Sequence, residues 1–174
     1  GELGPLTVVA HRVTWACFIL WAIVAALRLP VPVTAGSLFA FLVMGILNNA
    51  LPFTLQAWGQ LHIECGLTAI LNAGTAIWGV LIASYFLEDE RLTLSKLVGG
   101  SIGFFGVATA IGLEAFLRFD PTSLGQLAVI GSTISYGFAG VWARKRMAGL
   151  HPIVQAAGML TAAALIMVPL AWPL

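Results

Sequence analysis

Apolar residues run through this sequence in six long windows, each bounded by charges, prolines or glycines. An α-helix rises ~1.5 Å per residue, so crossing ~30 Å of hydrocarbon takes about 20 residues, which is the length of these windows. The first spans about Leu6 to Leu27 and closes on Arg28-Leu29-Pro30. The second, about Gly36 to Gly59, opens behind the Pro30 to Pro32 turn and Thr34. The third covers about Cys65 to Leu87 and ends in Glu88-Asp89-Glu90-Arg91; the fourth covers about Lys96 to Phe116, with Thr93 as the expected N-cap. The fifth runs from about Leu124 to Ala143, between Asp120-Pro121-Thr122-Ser123 and Arg144-Lys145-Arg146, and the sixth opens near Pro152. Lipid offers backbone groups no partner, so only helices or closed barrels cross it, and these windows lack the period-2 alternation of barrel strands. The expected fold is all-α, a polytopic transmembrane helical bundle with six spans.

Composition sharpens this picture. Apolar residues make up 60% of the chain and charged residues 9%, against about 25% charged in ordinary soluble domains. So few charges cannot cover a water-facing surface, which argues against a soluble enzyme. A net charge of +1 gives no basic face for nucleic acid. Cys17 and Cys65 lie inside apolar runs at no metal-ligand spacing and read as small buried hydrophobes. The chain opens at Gly1 without a leader pattern and is still apolar at Trp172-Pro173-Leu174, so both ends read as cut. Six alternating spans place Arg28, Arg91, Lys96, Arg144, Lys145 and Arg146 on one side and only Arg12 and Arg118 on the other, which predicts cytoplasmic loops near 28–35, 88–96 and 144–151.

Polar groups at mid-depth are costly in hydrocarbon and therefore informative. In the second window Gly45, Asn49, Pro52 and Gln56 recur on one helical face, with Asn48 beside them, and Pro52 is expected to kink the helix. In the third window Thr68, Asn72, Thr75 and Gly79 repeat the spacing, with Trp78 adjacent; the fifth carries Ser132, Ser135 and Tyr136 near its centre. Thr68, Thr75, Ser132 and Ser135 are expected to hold helices together by hydrogen bonds across interfaces. The amides Asn48, Asn49, Gln56 and Asn72 fit either dry packing or a shared polar cavity. Trp58 and Trp142 read as interfacial anchors, and Gly99, Gly103, Gly106 and Ala110 as a stripe for close helix approach. His11 and Arg12, near the outer end of the first window, fit a structural or a substrate role, and Glu64, at the outer mouth of the third, fits a solvated residue or one that takes up a proton or a cation. Glu88, Asp89 and Glu90 are expected to interact with the next helix N-terminus and Arg91. No nucleophile with a base, no paired carboxylates at mid-depth and no phosphate loop occurs, so no enzyme, catalytic residue, metal site or cofactor is expected.

The stretch Asn49-Ala50-Leu51-Pro52-Phe53, then Gly66-Leu67-Thr68-Ala69-Ile70-Leu71-Asn72-Ala73-Gly74-Thr75, then Asp89-Glu90-Arg91-Leu92-Thr93 and Gly99 through Gly106-Val107, resembles the EamA-type permeases of the drug/metabolite transporter superfamily. That resemblance implies ten helices in two inverted five-helix repeats, of which this chain carries about helices two to seven. Residues 1–117 then hold most of the first repeat, lacking its first helix, and residues 124–174 the start of the second. It implies a secondary transporter in the bacterial cytoplasmic (inner) membrane, an exporter of small metabolites, amino acids or drugs, working by alternating access. Combined with depth and helical phase, it gives Asn48, Asn49, Gln56, Asn72, Thr75, Trp78 and Tyr136 as the cavity lining. A non-transporting scaffold or sensor is the alternative. The expected partners are a small-molecule substrate, the lipid bilayer, the missing helices of the same chain and a second copy in a homodimer. One departure stands out: the family's proline shortly after the position of Thr75 is replaced by Ala76 or Ile77, so either gating differs or the kink moves to Pro52.

Overall fold

A computed structural model describes residues 4–117 and 119–171. Arg118, used above in the charge count, and the ends at Gly1 and at Trp172-Pro173-Leu174 lie outside the described residues. The described chain is helical throughout, without strands, and six of its segments are long and apolar enough to cross a membrane. They are α1 (Pro5–Ala26), α2 (Ala35–Gly59), the pair α3 (Cys65–Ala73) and α4 (Thr75–Phe86), α5 (Leu94–Ile111), α7 (Leu124–Arg146) and α8 (Pro152–Ala171); a short α6 (Leu113–Phe116) follows α5. This is an integral, multi-pass membrane protein.

The helix ends follow local chemistry. Thr34 caps α2 in a reciprocal box with Ser37, each side chain bonded to the other's backbone N–H. Thr93 caps α5 through a 3.4 Å bond from the Lys96 N–H, as its position predicts. The fourth window does not continue to Phe116 as one helix. Gly112, at φ +116°, ends α5 at Ile111, because that conformation is open to glycine and strained for other residues. The third window also departs from expectation, being broken at Gly74, where α3 ends and α4 begins. Cys65 at its start is exposed and Cys17 on α1 is half-buried, so neither is the buried hydrophobe its apolar run predicts.

The chain forms two compact units. The first comprises Gly1–Thr54 and Trp142–Leu174. Its core is Val24, Phe41, Met147, Val154 and Ala157, with Trp21 and Met44 packed against it. Small residues let the helices meet: a Cβ on Gly158 would sit 2.5 Å from the Phe41 ring, and one on Gly45 would meet the Met159 carbonyl at 2.7 Å. Polar tips are satisfied inside this packing. The Trp21 indole donates to the Thr161 hydroxyl at 2.7 Å, and Trp142 donates to the Ala40 carbonyl at 3.1 Å.

The second unit is Leu55–Val141. Leu67, Leu71 and Val129 are buried at its centre, flanked by Ile63 and Ile130. Gly59 and Gly137 are its close-approach points, the first against the Gly125 carbonyl and Val129, the second against Ile82 and the Trp78 carbonyl. α5 is the most open segment. Val98, Ile102 and Phe105 face outward, and a Cβ on Gly99, Gly103 or Gly106 would meet nothing within 4 Å, so the stripe expected to seat another helix has no neighbour among the described residues.

Candidate functional site

α2 begins as an ordinary α-helix and changes register in its middle. Ile46–Ala50 is a π-helical turn, in which the Leu51 N–H reaches the Ile46 carbonyl five residues back. The kink expected from Pro52 therefore takes the form of a widened turn just ahead of the proline. The expected stripe holds, since Gly45, Asn49 and Pro52 are buried and Gln56 is half-buried. Asn48 and Asn49 belong to the first unit. The Asn48 amide points to the Met159 sulfur at 3.5 Å, and the side-chain nitrogen of buried Asn49 has no hydrogen-bond partner among the described residues.

The other five expected lining residues belong to the second unit, and three of them meet there. The Gln56 amide donates to Asn72 Oδ1 at 2.9 Å and to Ser132 Oγ at 3.1 Å, so one side chain on α2 ties α3 to α7. Ser132 in turn donates to the Val129 carbonyl at 2.6 Å. Asn72 is exposed and lies two residues before the break. At the break Gly74 donates to the Leu71 carbonyl and accepts from Ile77, both three-residue steps, while the Thr75 hydroxyl takes the Asn72 carbonyl at 2.7 Å. The Trp78 indole lies over Gly74, 3.9 Å from where a Cβ there would be. Tyr136 is half-buried on α7, one turn beyond Ser132.

Ser132, expected to bond across a helix interface, does so by accepting from Gln56. Thr68 and Thr75 correct that expectation, bonding backward to the Glu64 and Asn72 carbonyls of their own chain segment. His62 stacks on Trp58 at 4.4 Å and contacts its carbonyl at 3.0 Å. Trp142 stands edge-on to Phe39 with Arg146 over its ring. Arg12 lies over the Phe53 ring at 5.5 Å, which gives it an aromatic partner. Glu90 pairs with the Lys96 side chain in the first turn of α5, a partner other than the Arg91 expected for the acids of that loop.

The cluster of Gln56, Asn72, Thr75 and Ser132 has only amides and hydroxyls, so it can exchange hydrogen bonds with a guest and cannot titrate. Charge gathers elsewhere, in a recess lined by His62, Glu64, Asp120, Ser123 and Gln126. There the Thr122 hydroxyl and N–H bind the Asp120 carboxylate at 2.7 and 2.9 Å and hold its pKa below the usual 3.8. Among the described residues no group of three His, Cys, Asp or Glu could hold a metal ion.

A sequence model described as the EamA-like transporter family matches residues 1–112. Among curated proteins, the chain is 24% identical over 144 residues to one named "Uncharacterized transporter YoaV" of Bacillus subtilis (strain 168), covering 82% of this chain and 49% of that protein. It is 28% identical over 97 residues to a "Probable terminal-alkyne amino-acid exporter" of Streptantibioticus cattleyicolor, covering 56% of this chain and 32% of that protein. The chain thus spans about half the length of the first relative and a third of the second. No solved structure matches it.

Proposed function

Because this chain belongs to the EamA-like transporter family, we propose that it forms part of a secondary transporter that exports small metabolites, amino acids or drugs by alternating access around a polar cavity at mid-membrane. One observation carries the reading: Gln56, Asn72 and Ser132 form a hydrogen-bonded cluster beside a helix break in the middle of a membrane-length segment. Broken helices inside membranes occur where backbone lines a cavity or is buried in protein, and the exposure of Asn72 supports the first of these. Asn72, Gln56, Thr75, Trp78 and Tyr136 are then the lining that this unit contributes. The printed name of the Streptantibioticus relative supports amino acids and the export direction.

In this reading residues 1–117 and 124–174 belong to two inverted repeats, completed by the chain's further helices. The protein lies in a bacterial cytoplasmic membrane with Arg28, Arg91, Lys96 and the 144–146 cluster inside, and a homodimer is its higher assembly. The test is counterflow of a labelled amino-acid panel by the full-length protein in proteoliposomes. Exchange of at least one member, reduced about tenfold or more in Gln56→Leu, is expected. No exchange with any member, or equal rates in Gln56→Leu, contradicts the proposal and leaves a scaffold whose amides only pack helices.

A further inference from the structure

The side-chain nitrogen of Asn49 is buried without an acceptor among the described residues, in a residue 3% exposed. A primary amide brings two donors, and in an apolar interior an unmade bond carries its full desolvation penalty. Its setting is equally uncommon. The amide stands on the π-helical turn Ile46–Ala50, a geometry that concentrates at functional sites. Pro52 follows at once and brings no N–H, so this stretch of helix is short of a backbone donor as well.

Both ends of the turn are clamped. Gly45, just before it, is pressed against the Met159 carbonyl and Ala162 of α8. Thr54, just after it, donates to the Ala50 carbonyl at 2.7 Å and lies 3.7 Å from the Met167 sulfur. On the turn itself Asn48 reaches Met159 through a thioether, a weak acceptor. A single π-helical turn carries one residue more than the α-helical register needs, so it can change geometry locally while its helix stays seated.

We propose that Asn49 is the donor of a guest site for a hydrogen-bond-accepting oxygen, which opens when the Ile46–Ala50 turn shifts and is shut in the conformation described here. The oxygen comes from water or from the carboxylate of a small solute. The site does not rest on the transport reading, because its test reads the amide and not flux.

The experiment is NMR of the full-length protein in lipid nanodiscs, labelled with [15N]asparagine. Within these 174 residues asparagine occurs at 48, 49 and 72. The Asn49 side-chain pair is identified by its loss in Asn49→Ala, or in Asn49→Ser where the alanine variant does not fold. Exchange of these amide protons with water in buffer alone, no more than about a hundredfold slower than for exposed Asn72, supports the site and assigns the oxygen to water. A shift of the Asn49 signal on adding acetate or glycine supports the site and assigns it to a solute carboxylate. Exchange slower than that limit, with no shift from either probe, overturns the inference and leaves Asn49 a dry orphan.

Discussion

At the scale of single residues, Gln56 decides most. Its two donors join Asn72 and Ser132, so Gln56→Leu leaves one carbonyl oxygen and one hydroxyl without their donor. Interhelical bonds in membranes average about 0.6 kcal/mol each, so the loss should be about 1 kcal/mol, visible as a lowered thermal midpoint in detergent. An unchanged midpoint would show that the two bonds carry no net stability. Asp120 offers a residue-scale test in pH. Its pKa is lowered by the Thr122 hydroxyl and N–H, so the 120–122 turn keeps its bonds at neutral pH and loses them as pH falls through a value below 3.8. Protection of the Thr122 amide, its exchange rate compared with that of an unstructured amide at the same pH, should hold from pH 7 down to that range and fall only below it; a fall near pH 6 would contradict the assignment. Amides in apolar windows were legible as candidates because hydrocarbon makes them costly. Which of them touch was not, since Gln56 and Ser132 are 76 residues apart and their meeting depends on helix packing.

At the scale of helices, packing tightness separates glycines that look alike in sequence. A Cβ on Gly158 would strike the Phe41 ring, whereas one on Gly103 would meet nothing within 4 Å. Gly158→Ala should therefore destabilise by about 1–3 kcal/mol, the usual cost of overpacking. Gly103→Ala should be neutral or stabilise by up to about 1 kcal/mol, because alanine costs a helix less conformational entropy than glycine. Thermal unfolding of both variants checks the pair, and equal effects would contradict the packing described. The six windows were legible because bilayer thickness fixes their length, and Thr34 and Thr93 marked where two helices start. The break at Gly74 was not. Its backbone angles, φ −59° and ψ −15°, are open to any residue, and the interruption comes from three-residue turns and from Thr75 taking the Asn72 carbonyl. Pro52 announced a lost bond, and the π-helical register that absorbs the loss has no sequence mark.

At the scale of the whole molecule, the chain is a multi-pass membrane protein of the EamA-like transporter family that spans about half the length of its first relative. No uptake is expected from the 174-residue chain alone in liposomes, because a cavity between inverted repeats needs both. Flux above that of empty liposomes would show the expectation wrong. Family and architecture were readable from ordered segments spread along the sequence. Division into two compact units was not, because it runs through α2 and α7 and depends on contacts far apart in the chain. In the transporter proposed above, the Gln56–Asn72–Ser132 cluster faces a water-filled, substrate-accessible space. The most direct measurement is labelling of Asn72→Cys by a membrane-impermeant thiol reagent in the full-length protein, with Cys17 and Cys65 replaced and exposed Val33→Cys as control. Asn72→Cys is expected to react, and more slowly when a transported solute is present; an unreactive Asn72→Cys beside a reactive Val33→Cys would contradict that placement.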